Sequence, residues 1–226
     1  MLILAVDTTT WSGSVALLKG AKLLAEVNLE SPLTHSEKLL PAIDFVLKAH
    51  ALDIKHVEGF ALAVGPGSFT GIRIGLSTVK SFAFASGKPV APISSLQALA
   101  FKMRSSAARL VSPVVDAKKG EIYAALFELK AQHLEEIVVQ GAYKPDLFFS
   151  LLPAHRIIHF IGNGLESYKQ KIFQYLKDKA RFSPRTYFIA YEVGLLGYEL
   201  FIHNRGLSFE EVEPLYFRKS QAEEKD

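Results

Sequence analysis

The sequence predicts an α/β protein of two lobes, each a mixed β-sheet with flanking helices. Three observations point there. The first hundred residues read as three strands, a helix, a strand, a helix, a strand and a further helix. A meander followed by two right-handed crossovers builds one sheet of mixed direction, whereas strict strand–helix alternation would indicate a doubly wound or barrel fold. The second half repeats a similar order, which suggests an internal duplication although no residue-level repeat is visible. Finally, 226 residues that are 49% hydrophobic and 22% charged suffice for one large domain or two small packed lobes.

In chain order, Leu2–Thr8, Ser14–Leu18 and Leu23–Leu29 are β-prone runs separated by the turns Thr8–Gly13 and Lys19-Gly20, an antiparallel meander. Ser31-Pro32 breaks it. Ser36–Ala51 carries Leu39, Leu40, Ile43, Val46 and Leu47 at helical spacing. Val57–Val64 is a strand, Gly65–Thr70 a glycine loop and Gly71–Ser86 a second helix, stopped by Gly87-Lys88-Pro89. Val90–Ile93 is the next strand, and a helix over Ser95–Ser106 follows. In the second half Leu110–Val115, Glu121–Leu129, Leu134–Tyr143 and Ile157–Ile161 read as strands. Pro145–Leu152, Glu166–Lys177 and Thr186–Asn204 read as helices, the first opening on a proline where no N–H partner is needed. The expected division is an N-terminal lobe over 1–105 and a C-terminal lobe over 106–226.

Composition removes several function classes. With no cysteine, disulfides, zinc ribbons, iron–sulfur clusters and a thiol nucleophile are excluded. Lys and Arg total 26 against 23 Asp and Glu, so the net charge of +3 is no nucleic-acid footprint. Lys118, Lys119, Lys169, Lys171, Lys177 and Lys179 are expected to add at most a supporting electrostatic contribution. No uncharged apolar run approaches the roughly 18 residues of a membrane helix, and the opening residues carry no basic leader. The expectation is a soluble, cytoplasmic protein without a membrane association.

Three segments could carry chemistry. Asp7 at a strand end, followed by Thr8, Thr9 and Thr10, could present hydroxyls and N–H groups to a phosphate or magnesium, or could satisfy its own turn. Gly65–Gly75 supplies four glycines between a strand and a helix, suited equally to anion binding and to close packing of the helix. It matches neither the dinucleotide fingerprint, nor the P-loop, nor a nucleophile elbow. His35 precedes Ser36 at a helix start, where Ser36 could cap, and no histidine pair has metal-ligand spacing. Third, the helices Ser36–Ala51 and Gly71–Ser86 are apolar nearly all round. A helix on a sheet needs one apolar stripe, so these two are expected to bury a second face, against a partner chain or the other lobe. The residues expected at a partner interface are Leu39, Leu40, Ile43, Phe69, Ile72, Arg73, Leu76, Val79 and Phe82.

Ile3–Thr9 with Ser14–Leu17, Thr34–Pro41 and Gly65–Leu76 together resemble the bacterial TsaB (YeaZ) family, and Asp116–Tyr123 and Pro214–Arg218 are similar to its later signatures. The resemblance spans essentially the whole chain, with Gly65–Leu76 its most specific part. It implies a two-lobed actin-like ATPase (ribonuclease H-like) fold. It also implies a subunit needed for N6-threonylcarbamoyladenosine at position 37 of tRNAs reading ANN codons. In that system a related TsaD does the catalysis, an ATPase, TsaE, joins the complex, and this subunit pairs with TsaD through N-terminal-lobe helices. Alone, the same patch is expected to form a homodimer.

The resemblance also marks departures. The paralogue's His-x-x-x-His metal pair would fall at about Ser95 and Leu99, which cannot replace imidazole at a transition metal. The actin-like phosphate loop has a glycine where this chain has Thr8-Thr9-Thr10. Although some relatives carry a peptidase label, the chain has no HExxH, no cysteine and no recognisable serine triad. The expectation is a non-catalytic subunit that binds no cofactor alone, with ATP and a metal ion in its partners and tRNA met only through the complex. The competing expectation is an independent ATPase or kinase using Asp7, Thr8, Thr9 and the Thr8–Thr10 turn, with Asp116 as its only candidate catalytic carboxylate.

Overall fold

The computed structural model describes residues 1–30, 34–130 and 133–218; the expected break at Ser31-Pro32 and the tail Gln221–Asp226 lie outside the described residues. The first half runs β1 (Leu2–Asp7), β2 (Gly13–Lys19), β3 (Lys22–Leu29), α1 (His35–Lys48), β4 (Gly59–Gly65), α2 (Phe69–Ser86), β5 (Val90–Ser94) and α3 (Ser95–Phe101). The second runs β6 (Leu110–Lys118), β7 (Glu121–Lys130), β8 (His133–Tyr143), α4 (Pro145–Ser150), β9 (Ile158–Ile161), α5 (Leu165–Leu176), β10 (Ala180–Phe182) and α6 (Ala190–Ile202).

The expected meander forms. β1, β2 and β3 pair antiparallel, β4 and β5 add in parallel on the other side of β1, and the sheet order is β3-β2-β1-β4-β5. The second sheet, β10-β9-β6-β7-β8, repeats that order and every strand direction. The duplication expected from element order is therefore a duplication of topology. β10 went unread in the sequence because three residues are too few to show a period of two.

Strands buried on both faces read as continuous apolar runs, and the first sheet shows why. Leu4, Val6, Val15, Leu17, Phe60, Leu62 and Val64 cluster with Leu39, Ile43 and Val46 of α1 and Val79 of α2. The intervening Ile3, Ala5, Ala61 and Ala63 are equally buried and alternate to the opposite face. α6 covers that face, packing on β1, β2, β4 and β5. Small residues let it lie close: a Cβ on Gly197 would sit 2.6 Å from the Cβ of Ala61, and one on Gly194 2.4 Å from Leu18 Cδ1.

This placement departs from the expected division at 105/106. One compact unit comprises Met1–Ser95 with Phe188–Tyr216, and the other comprises Leu96–Tyr187 with the described residues from Phe217. α6, expected to finish the C-terminal lobe, belongs to the first unit, while α3 from Leu96 onward belongs to the second. The physical reason is the second apolar face of the first sheet, which no helix of the first hundred residues covers. The helix expected over 95–106 ends at Phe101, and the one expected from Thr186 begins at Ala190. Replacing Gly197 by Leu is expected to destabilise the protein by about 3 kcal/mol through overpacking, read as a lowered urea midpoint. An unchanged midpoint would contradict the seating of α6 on the first sheet.

Candidate functional site

The turn after β1 is built from its own side chains. Thr9 N–H and Thr9 Oγ1 both donate to Asp7 Oδ1, at 2.9 and 2.6 Å. Thr8 Oγ1 donates to Gly71 O at 2.8 Å, and the Thr10 hydroxyl donates to Ser12 O. The Ser68 N–H reaches Thr9 O at 2.6 Å, and Ser68 Oγ caps α2 by accepting from Gly71 N–H. A Cβ on Gly67 would lie 2.1 Å from Thr9 O, and one on Gly71 2.0 Å from Thr8 O. These glycines therefore let the start of α2 rest directly on the turn, which decides the Gly65–Gly75 loop in favour of close packing. Asp7, Thr8 and Thr9 are buried. The three threonine hydroxyls each donate within the turn or to Gly71, and the start of α2 rests on its carbonyls.

α1 is anchored on the same turn. His35 Nε2 lies 2.6 Å from Thr10 O, its ring lies against Gly13, and Lys38 Nζ reaches Trp11 O and Leu29 O at 3.4 and 3.3 Å. Thr34, rather than Ser36, occupies the N-cap, with Glu37 accepting from Thr34 N–H at 2.8 Å. Burial pushes the His35 pKa down, against the Thr10 contact that raises it. Burial also pushes Asp7 up to about 6, against the two Thr9 hydrogen bonds, and Asp7 Oδ2 has no hydrogen-bond partner among the described residues.

Asp116 mirrors Asp7 in the second unit. Its Oδ1 accepts from Lys118 N–H at 2.8 Å, the same two-residue turn, and Gly162 just after β9 has φ +119° where Gly65 at the end of β4 has +116°. There the likeness stops, because Lys118 Nζ neutralises Asp116 Oδ2 at 2.8 Å. Lys171 and Lys179 likewise pair with Asp146 and Asp178. Ser95 Oγ donates to Pro66 O at 2.6 Å and Leu99 is buried. Among the described residues no group of three or more His, Asp or Glu comes together as a metal site.

The expected interface residues divide sharply. Leu39, Ile43, Ile72 and Val79 are buried and unavailable to a partner, three of them within the chain's own core cluster; Leu76 and Phe82 are half-buried on the same cluster, with Phe82 stacked 6.1 Å from Phe60. Leu40 is 52% exposed, Arg73 is exposed and Phe69 is half-buried. Two large apolar residues that the sequence reading left out of the interface stand further out: Phe45 at 63% on α1 and Phe84 at 71% on α2. Helical spacing shows which residues share a face, but not which of two apolar faces lies on the sheet. Between α1 and α2 runs a groove of about 470 Å³ lined by Leu40, Phe69, Thr70, Arg73, Ile74 and Ser77 among others.

Asp7 also sets a pH dependence. A carboxyl whose pKa rises from 3.8 to about 6 on folding binds its proton more tightly in the folded state. Asp7's own contribution to stability is then greatest below pH 4, falls as pH rises to 6 and stays lowered above, by about 3 kcal/mol. Asp7→Asn keeps an acceptor for Thr9 N–H, so the stability difference between the two proteins is expected to change in Asn's favour across pH 4–6. Urea unfolding at several pH values measures it; parallel profiles would contradict the buried charge.

The family model described as "TsaD: tRNA N6-adenosine threonylcarbamoyltransferase" matches residues 29–219. The chain is 31% identical over 232 residues to the Bacillus subtilis "tRNA threonylcarbamoyladenosine biosynthesis protein TsaB", spanning 100% of this chain and 97% of that one. The structure of YeaZ from Pseudomonas aeruginosa superposes with a TM-score of 0.82 at 27% identity, covering 95% of this chain and 99% of that one. ROK hexokinase from Thermus thermophilus superposes at 0.54 with 12% identity over 90% and 100% of the two chains, a likeness of the actin-like ATPase fold alone. Matched from end to end by a TsaB protein and by a YeaZ structure, the chain belongs to the TsaB (YeaZ) family.

Proposed function

We propose that this chain is a non-catalytic subunit required for threonylcarbamoylation of adenosine-37 in tRNAs reading ANN codons. It docks on a TsaD-like catalytic paralogue through the outer face of α1 and α2, in a complex that includes a TsaE-like ATPase. The observation that supports this most directly is the exposure of Leu40, Phe45 and Phe84 on helices whose other face already packs on the sheet. Apolar side chains of that size, gathered on one helix pair, suit an interface rather than water. The relative from Bacillus subtilis is named for biosynthesis of the modified nucleoside.

Catalysis falls to the partners in this reading. The Asp7 turn is filled by the start of α2, and Ser95 and Leu99 offer no imidazole. ATP and the metal ion then belong to the partner subunits, tRNA is met through the assembled complex, and the isolated chain covers its docking face by homodimerising.

Leu40→Glu and Phe45→Glu change exposed positions, so the fold is expected to keep its melting temperature within a few degrees. Each is expected to abolish the mixed complex with the TsaD-like paralogue in gel filtration, and with it tRNA modification in a reconstituted reaction. Phe82 is unsuited to this test because its ring packs on Phe60. A mixed complex that survives both substitutions would show that another surface docks.

A further inference from the structure

We propose that Arg73 is the polar anchor of this docking face, receiving a carboxylate carried on an apolar helix of the partner chain. The inference rests on the docking reading above and names the chemistry the partner must bring.

The guanidinium of Arg73 lies 3.7 Å over the ring of Phe69, which stacks in turn on Tyr216 with centroids 4.7 Å apart. Arg73 Nε donates to Tyr216 Oη at 3.3 Å. One of five N–H donors is thereby used, and the side chain is held flat at small further entropy cost. Its two terminal nitrogens keep a fork suited to a carboxylate. Among the described residues no carboxylate pairs with Arg73, and none lines the groove. The nearby α1 carboxylates are committed: Glu37 to Thr34, and Asp44 to Lys48.

The groove thus offers an incoming helix an apolar floor of Leu40 and Ile74 and a single fixed cation. Covering that cation without a counter-charge would strip its hydration uncompensated. An aspartate or glutamate on the partner's apolar face removes the penalty and sets the register of the two helices.

The fixation of Arg73 depends on the end of the chain. Leu215 N–H donates to Val64 O at 2.8 Å, and a Cβ on Gly65 would lie 2.6 Å from Leu215 O. This pins the segment along the end of β4 and brings Tyr216 under Phe69. Tyr216 is a positioning residue, which assigns a role to a stretch that no chemistry at the Asp7 turn uses.

Calorimetry of the full chain with the TsaD-like paralogue of the same organism, at low and high salt, tests the proposal. Arg73→Gln is expected to weaken binding by about tenfold or more and to flatten its salt dependence. Arg73→Lys is expected to recover only part of the loss, and Tyr216→Leu to fall between with an unchanged melting temperature. If Arg73→Gln lowers the melting temperature, Arg73→Glu serves instead: binding is expected to return when one Asp or Glu on the partner's apolar helices is changed to Lys, and failure of every such reversal overturns the proposal. If Leu40→Glu abolishes binding while Arg73→Gln stays within twofold, the anchor is wrong and docking stands. If Leu40→Glu binds normally, both fall. If Arg73→Gln weakens only self-association, the carboxylate belongs to a second copy and the proposal fails.

Discussion

The backbone-to-backbone contact between the start of α2 and the Thr8–Thr9 turn governs the first unit. It sets where α2 begins, and His35 seats the start of α1 on the same turn. Two helices registered on one rigid turn present their outer residues as a single face, so the spacing of Leu40, Phe69 and Arg73 is inherited from that contact. A loop that resembles a phosphate cradle in composition is here a packing surface, because its glycines face carbonyls rather than solvent.

Asp7 and Asp116 show how one local geometry takes two electrostatic forms. Each carboxylate accepts from the N–H two residues on. Asp116 is neutralised by an adjacent lysine at the surface, whereas Asp7 keeps an unpartnered oxygen in the interior and is pushed toward neutrality. The first arrangement is stable at neutral pH, while the second carries a standing cost there.

Much of the fold was legible in the residues. Turn chemistry at Lys19-Gly20 and Gly87 and the uninterrupted apolar runs of β1, β2 and β4 placed those elements correctly within a few residues. The site was legible in part. Of the residues expected at an interface, Leu40 and Arg73 face outward while Leu39, Ile43, Ile72 and Val79 do not, and Phe45 and Phe84 are further exposed apolar residues on the same two helices. A helix that is apolar on two sides carries a symmetric signal, and only contact with the sheet breaks the symmetry.

The sequence by itself determined the order of elements, the excess of apolar surface on two helices and the family, since each rests on local spacing or on residue identity. Tertiary structure alone decided that α6 returns to the first sheet, that the glycine loop closes on the Asp7 turn and that Tyr216 holds Arg73. Those three contacts join residues far apart along the chain, and no short-range period records which distant surface will cover an apolar or glycine-rich one.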